Sequence, residues 1–226
     1  MQPPKLDWAK SWLKSTKQLY IQGAWTPSVS QETFDSINPS NKEKLAALSL
    51  AGKADVDLAV KSARTAFENA SWRGMNRRER ATVLRSIAQL IRSHQAELAT
   101  LETLDNGKTY QESFCDDLPE SADVFDYYAG WIDKIYRESV PVEKGFINFT
   151  QHEALGVCAL IVPWNFPLLL ACWKIAPALA MGNTVIVKPS PFTSLTMVRV
   201  FELIHESDRK STRLNSSHVS ESRMPS

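Results

Sequence analysis

Apolar positions recur at helical spacing over most of the first 136 residues, then switch to short extended runs. Val56, Ala59, Val60, Ala63, Phe67 and Ala70 mark one face of a helix. Asp55 stands as its cap, and the helix is predicted to run to about Trp72. Ala81, Leu84, Ile87, Ala88 and Ile91 form a second stripe, opened by Asn76 with Glu79 three residues on, the spacing of a capping box. A third helix carries Leu98, Leu101 and Leu104. It stops at Asn106-Gly107, where glycine accepts the left-handed conformation. A fourth is predicted over 110–136, divided or kinked at Pro119. Before these helices, Tyr20 to Trp25 reads as a short strand and turn, and an extended stretch from Phe34 ends near Asn38-Pro39.

The pattern changes after residue 138. Residues 140–155 hold β-formers around Gly145 and read as a hairpin or ribbon. Next come an apolar strand over 156–162, the triplet Pro163-Trp164-Asn165, and a helix over 166–180. Gly182-Asn183 makes a turn. A buried strand over 184–187, the run Lys188-Pro189-Ser190-Pro191, and a helix to about Glu206 follow. Strand, helix, strand, helix with short links predicts a parallel crossover unit. Such a unit brings both strand C-termini to one edge, where ligands bind and where the two proline-containing loops fall. Residues 208–226 are polar and aperiodic. They read as a disordered tail and resemble a translated sequencing-adapter artefact.

Composition narrows the class. The chain has 226 residues, 43% hydrophobic and 23% charged, with a formal net charge of +1. That is ordinary for a globular protein and gives no broad footprint for nucleic acid. The longest apolar run, residues 166–181, is interrupted by Pro167, Lys174 and Pro177 and is shorter than the ~20 residues of a membrane span. The N-terminus lacks the apolar core of a secretory signal. The three cysteines, Cys115, Cys158 and Cys172, match no disulfide framework or zinc cluster. They fit a reducing compartment, the cytoplasm by default. Cys158 and Cys172 read as small buried hydrophobes, and His94, His152, His205 and His218 show no metal spacing. No GxGxxG-type fingerprint is present.

The segment GVCALIVPWNFPLLLACWKIAPALAMGNTVIVKPSPFTSLT, residues 156–196, resembles the aldehyde dehydrogenase superfamily. The likeness extends through YIQGAW, DVDLAVKSARTAF, LETLDNGK, ADVFDYYAGW and FTQHEALGV, all in family order. The opening LDWAKSWLK resembles the two-module family 16 subgroup. The resemblance implies an α/β fold: an incomplete Rossmann-type cofactor-binding domain with a protruding β-ribbon. It divides the chain into an extension (1–18), a first part of the cofactor domain (19–137), an oligomerisation ribbon (138–155), the start of the βαβα core (156–207) and the tail (208–226). It implies oxidation of an aldehyde to a carboxylic acid with NAD or NADP through a cysteine thiohemiacetal, in a homo-oligomer. The nucleophile is expected beyond this sequence, so the fragment itself is expected to be inactive. A non-catalytic scaffold on the same fold is the alternative.

By family position, Asn165 stabilises the oxyanion formed when the cysteine attacks, a task that needs a donor aimed in advance at developing charge. An asparagine there also suits capping of the next helix. Ile161, Pro163 and Trp164 are implied to wall the cofactor cleft, though packing alone would also explain a tryptophan. Lys188 is implied to reach the adenosine ribose, with Ser190 beside it; a snorkelling surface lysine is the plainer reading. Pro191 departs from the family. NAD-preferring members often place a glutamate there, so the choice between NAD and NADP stays open.

Overall fold

The computed structural model describes residues 1–210 and 219–221. The first helix, α1 (Leu6–Trp12), is no free extension. Ala9 and Leu13 are buried, and Trp12 Nε1 donates to Glu202 Oε2 at 2.6 Å. Strands β1 (Leu19–Ile21) and β2 (Ala24–Thr26) form a hairpin. Its two turn residues, Gln22 and Gly23, both have positive φ, as a tight hairpin turn requires. A second antiparallel pair, β3 (Thr33–Ile37) and β4 (Lys44–Ser49), turns at Asn38-Pro39.

Four helical regions follow. Helix α2 (Lys53–Glu68) starts one turn earlier than its expected cap. Gly52 occupies the cap, and Asp55 sits inside the first turn, accepting from the Gly52 and Val29 amides at 2.8 and 2.9 Å. The helix also ends before Trp72, because Asn69 breaks it and caps the short α3 (Ala70–Arg73). Helix α4 (Arg77–Ser93) has the expected reciprocal cap between Asn76 and Glu79, both bonds at 3.0 Å. Helix α5 (Gln95–Asn106) ends at Gly107, whose φ is 88°. The predicted fourth helix is divided into α6 (Tyr110–Glu112), a π-helical turn (Ser113–Asp117) and α7 (Leu118–Trp131). Pro119 falls in the first turn of α7, where its ring and missing N–H are best tolerated.

The ribbon, β5 (Ser139–Val140) and β6 (Asn148–Phe149), pairs over two residues a strand, and both strands are exposed throughout. The main sheet is parallel in the order β7-β8-β9, with β7 (Val157–Ile161), β8 (Thr184–Lys188) and β9 (Val219–Glu221). Helix α8 (Pro167–Ala180) connects the first two strands, and α9 (Leu195–Lys210) follows β8. Within the span read as a tail, α9 continues through Lys210, and residues 219–221 pair with β8. Residues 211–218 and 222–226, which carry the rest of that expectation, lie outside the described residues.

Strand β8 shows why the molecule is layered. Val185 and Val187 face a core built with α4, α7, α8 and α9, while Ile186 points the other way, onto Ala59 and Ala63 of α2. This is the two-residue period of a strand covered on both faces. Each such side chain contributes about 1.5–3 kcal/mol by leaving water. Thr184 Oγ1 donates to Ala63 O at 2.9 Å and ties α2 to the same strand.

Candidate cofactor edge

Strands β7 and β8 run in register, with Ile161 opposite Lys188. The Val162 amide donates to Lys188 O at 3.0 Å, extending the ladder one step. Pro163-Trp164-Asn165 and Pro189-Ser190-Pro191 therefore leave the sheet side by side. Ile161 and Trp164 are 56% and 59% exposed, Pro163 and Asn165 are exposed, and Lys188 is half-buried. The edge thus offers an apolar wall beside an amide and a cation. Helix α8 begins at Pro167 with Phe166 in the cap position and no side-chain cap bond. Asn165 is consequently not the helix cap.

The loop that carries Asn165 is held from below by α5. Asn106 Nδ2 donates to Trp164 O at 2.7 Å. Lys108 Nζ lies 3.5 Å from the Phe166 ring centroid and 2.7 Å from Asp117 Oδ2. One turn earlier, Glu102 Oε1 accepts from the Leu168 amide at 3.4 Å, at the start of α8. Asp105 does the same for α9, accepting from the Leu195 amide at 2.9 Å and from Ser36 Oγ at 2.6 Å. Spaced i, i+3, the two carboxyls share a helix face and meet two helix N-termini, where negative charge is favoured.

Burial outweighs that attraction. It pushes Glu102 up to about 7 against hydrogen bonds from Thr196 and Leu168. It pushes Asp105 up to about 7 against those from Ser36, Leu195 and Ser194. Glu102 Oε2 is buried with no hydrogen-bond partner, a setting that favours a neutral carboxyl over a bare charge. The sequence reading missed Glu102, Asp105, Asn106 and Lys108. The available signal was two acids interleaved with the apolar stripe Leu98, Leu101 and Leu104, facing inward rather than outward.

Five of the expected site residues, Ile161, Pro163, Trp164, Asn165 and Lys188, come together at this edge. Ser190 does not present its hydroxyl there. It is buried, its Oγ accepts from the Phe192 amide at 3.2 Å, and its carbonyl accepts from Ser194 Oγ at 2.7 Å. Its side chain shapes the loop instead. Pro191 is half-buried and lines, with Trp164, Asn106 and Phe192, a cleft of about 460 Å³ beside the edge. Cys172 is buried as expected, Cys158 is only half-buried, and Cys115 is exposed. Burial raises the thiol pKa of both Cys158 and Cys172, the opposite of nucleophile activation. Among the described residues, no His, Cys, Asp and Glu group could hold a metal ion, and no helix is long and apolar enough to cross a membrane.

A parallel βαβ unit with two short loops at one strand edge defines a Rossmann-type α/β protein. Residues 25–216 match the model of the aldehyde dehydrogenase family, and the chain belongs to that family. It is 45% identical over 195 residues to aldehyde dehydrogenase 1A1 of Gallus gallus, covering 86% of this chain and 38% of that protein. It is 45% identical over 190 residues to the mitochondrial aldehyde dehydrogenase of Homo sapiens, covering 84% of this chain and 37% of that protein. The NAD+ complex of an aldehyde dehydrogenase from Bacillus cereus superposes with a TM-score of 0.90 at 36% identity, covering 100% of this chain and 44% of that one. The chain thus spans about two fifths of the length of the relatives it matches.

Proposed function

We propose that this chain supplies the cofactor edge and the oxyanion amide of an enzyme that oxidises an aldehyde to a carboxylic acid with NAD or NADP. The observation that carries the reading is the registered pair Ile161 and Lys188, which sets an exposed, uncapped Asn165 beside an apolar wall and a cation. When bound, the dinucleotide accepts the hydride. Ile161 and Trp164 exclude water from one side of it, and Lys188 donates to its ribose hydroxyls or phosphate. The Asn165 amide donates to the oxygen of the attacked carbonyl. It carries no acidic proton, so it stabilises the oxyanion without protonating it. The attacking cysteine belongs to the remaining family length, so the 226-residue chain alone is expected to lack turnover. The exposed ribbon pairs copies of the protein into an oligomer.

Equilibrium binding of NAD and NADP to the full-length protein, followed by aldehyde-dependent reduction of the bound dinucleotide, tests this reading. Binding and reduction are expected in wild type. Lys188→Met should weaken binding by about tenfold, the worth of one charge-assisted hydrogen bond. Binding without reduction across short, long and aromatic aldehydes would favour the scaffold alternative.

A further inference from the structure

At the other end of the sheet, before the N-terminal starts of β7 and β8, lies a cavity of about 340 Å³ between α3, α4, the base of the ribbon and the end of α8. Arg73, Arg77, Arg80 and Arg137 line it together with His152, and Glu153 is its sole carboxylate. None of these four arginines makes an ion pair among the described residues. Elsewhere guanidinium groups are paired, the exposed Arg92 as well as the partly sequestered Arg199. Arg92 meets Asp123 and Asp126, and Arg199 meets Glu97, Glu202 and Glu206.

Arg80 and Arg199 are both partly sequestered. Arg199 sits among carboxylates that favour its charge. Arg80 meets only burial and the like charge of Arg77, and both oppose its ionisation. Its Nη1 and Nη2 reach the carbonyls of Ala180 and Met75 at 3.5 and 3.3 Å, and its buried Nε has no partner. The floor is built as well: Trp72 Nε1 donates to Gly182 O at 2.9 Å. Asp133 is a nearby carboxylate for Arg77 but forms no ion pair with it, and a cluster of unpaired guanidinium groups in a concave site suits an oxyanion.

We propose that this cavity binds a phosphate group, free or carried on a small metabolite, at a site separate from the cofactor edge. The guanidinium forks of Arg77 and Arg137 grip the phosphate oxygens from the rim, and Arg80 supplies charge from the floor. Occupancy relieves the repulsion between Arg77 and Arg80 and clamps the ribbon base, through Arg137, to the start of α4.

Titration calorimetry on the full chain at low ionic strength tests the site, with inorganic phosphate and glycerol phosphate as probes. One saturable site is expected for at least one probe, unaffected by saturating NAD. The tighter probe identifies whether the phosphate is free or esterified. Arg77→Gln and Arg137→Gln, both exposed and outside the fold's hydrogen-bonded core, are each expected to weaken binding about fivefold or more. Arg78→Gln, one residue along but outside the cavity, is expected to leave it unchanged. Absence of a saturable site for both probes overturns the proposal. So does equal weakening by Arg78→Gln, or competition with NAD. A change of oligomeric state in Arg77→Gln and Arg137→Gln with phosphate binding intact also overturns it, by assigning the arginines to a subunit contact.

Discussion

Asn165 projects from a loop whose position is fixed by its neighbours rather than by its own side chain. Asn106 holds the carbonyl of Trp164, and Lys108 packs on the ring of Phe166, on either side of it. Replacing Asn165 therefore removes a donor without disturbing the support. On the proposed reading, Asn165→Ala in the full-length protein is expected to lower kcat by about 10²–10³-fold, the usual worth of one oxyanion donor. Dinucleotide affinity should stay within about twofold, well under the tenfold that one hydrogen bond to a charged group commands. An equal loss in affinity would mean that the amide holds the cofactor instead. Asn106→Ala should act on the same step indirectly, lowering kcat by less and lowering thermal stability as well. The triplet holding Trp164 and Asn165 was legible as a loop at the strand edge because it follows an apolar strand, while the roles proposed for it came from the family resemblance. Ser190 was read the same way, yet its hydroxyl turned inward to the Phe192 amide. A serine two residues past a strand serves a loop turn as readily as a ligand, and nothing in the sequence separates those uses.

At the scale of elements, α5 is the support on which the edge rests. Its two buried carboxyls reach the first turns of α8 and α9, so its position sets where both loops end. Both groups are pushed up to about 7 from ordinary values of 4.5 and 3.8. A carboxyl whose pKa is raised on folding binds its proton more tightly in the native chain. The stability it contributes is fully present below its unfolded pKa and is lost as pH rises through the folded one. The window is thus about pH 4 to 7, and melting temperature should fall across it as pH increases. Glu102→Gln keeps the shape and an acceptor for the Leu168 amide but removes the titration. It should narrow the difference in melting temperature between pH 5 and pH 8, at roughly 2–4 °C per kcal/mol for a chain of this size. A wild-type slope retained in the variant would exclude Glu102 as its source. Glu102→Leu leaves the Leu168 amide without its acceptor and should cost about 1–3 kcal/mol at any pH. Helices with strong caps were legible to the residue, as at Asn76 and Gly107, because the capping chemistry is local. Strand β4 went unread: Lys44 to Ser49 has neither alternation nor β-branched residues, and only pairing with β3 makes it extended.

The whole molecule divides into a covered sheet and an uncovered ribbon. The crossover topology was legible because two short apolar strands and two helices admit one economical arrangement. The ribbon was legible as a hairpin around Gly145, though only two residues on each strand are bonded. The ribbon and its base carry the three most exposed large hydrophobics of the described chain, Leu155 at 90%, Ile147 at 88% and Tyr136 at 81%, with Phe146 at 73% close behind. A ribbon that buries none of these has no internal reason to hold its shape, because an isolated two-stranded hairpin is marginal in water. The proposed oligomer supplies the missing cover, with Phe146 and Ile147 at the ribbon tip entering the contact. A charge at that tip would then have to be buried in the assembly, at a cost that outweighs the lost apolar contact alone. Ile147→Glu should shift the full-length protein toward monomer in sedimentation velocity. Dinucleotide binding at the distant edge should persist within about twofold, as expected for separated sites with no shared partners. Lys144→Glu, in the same turn but already polar, should leave the assembly intact. An Ile147→Glu protein that sediments like wild type would remove the ribbon tip from the interface, and the exposed apolar side chains would then need another partner.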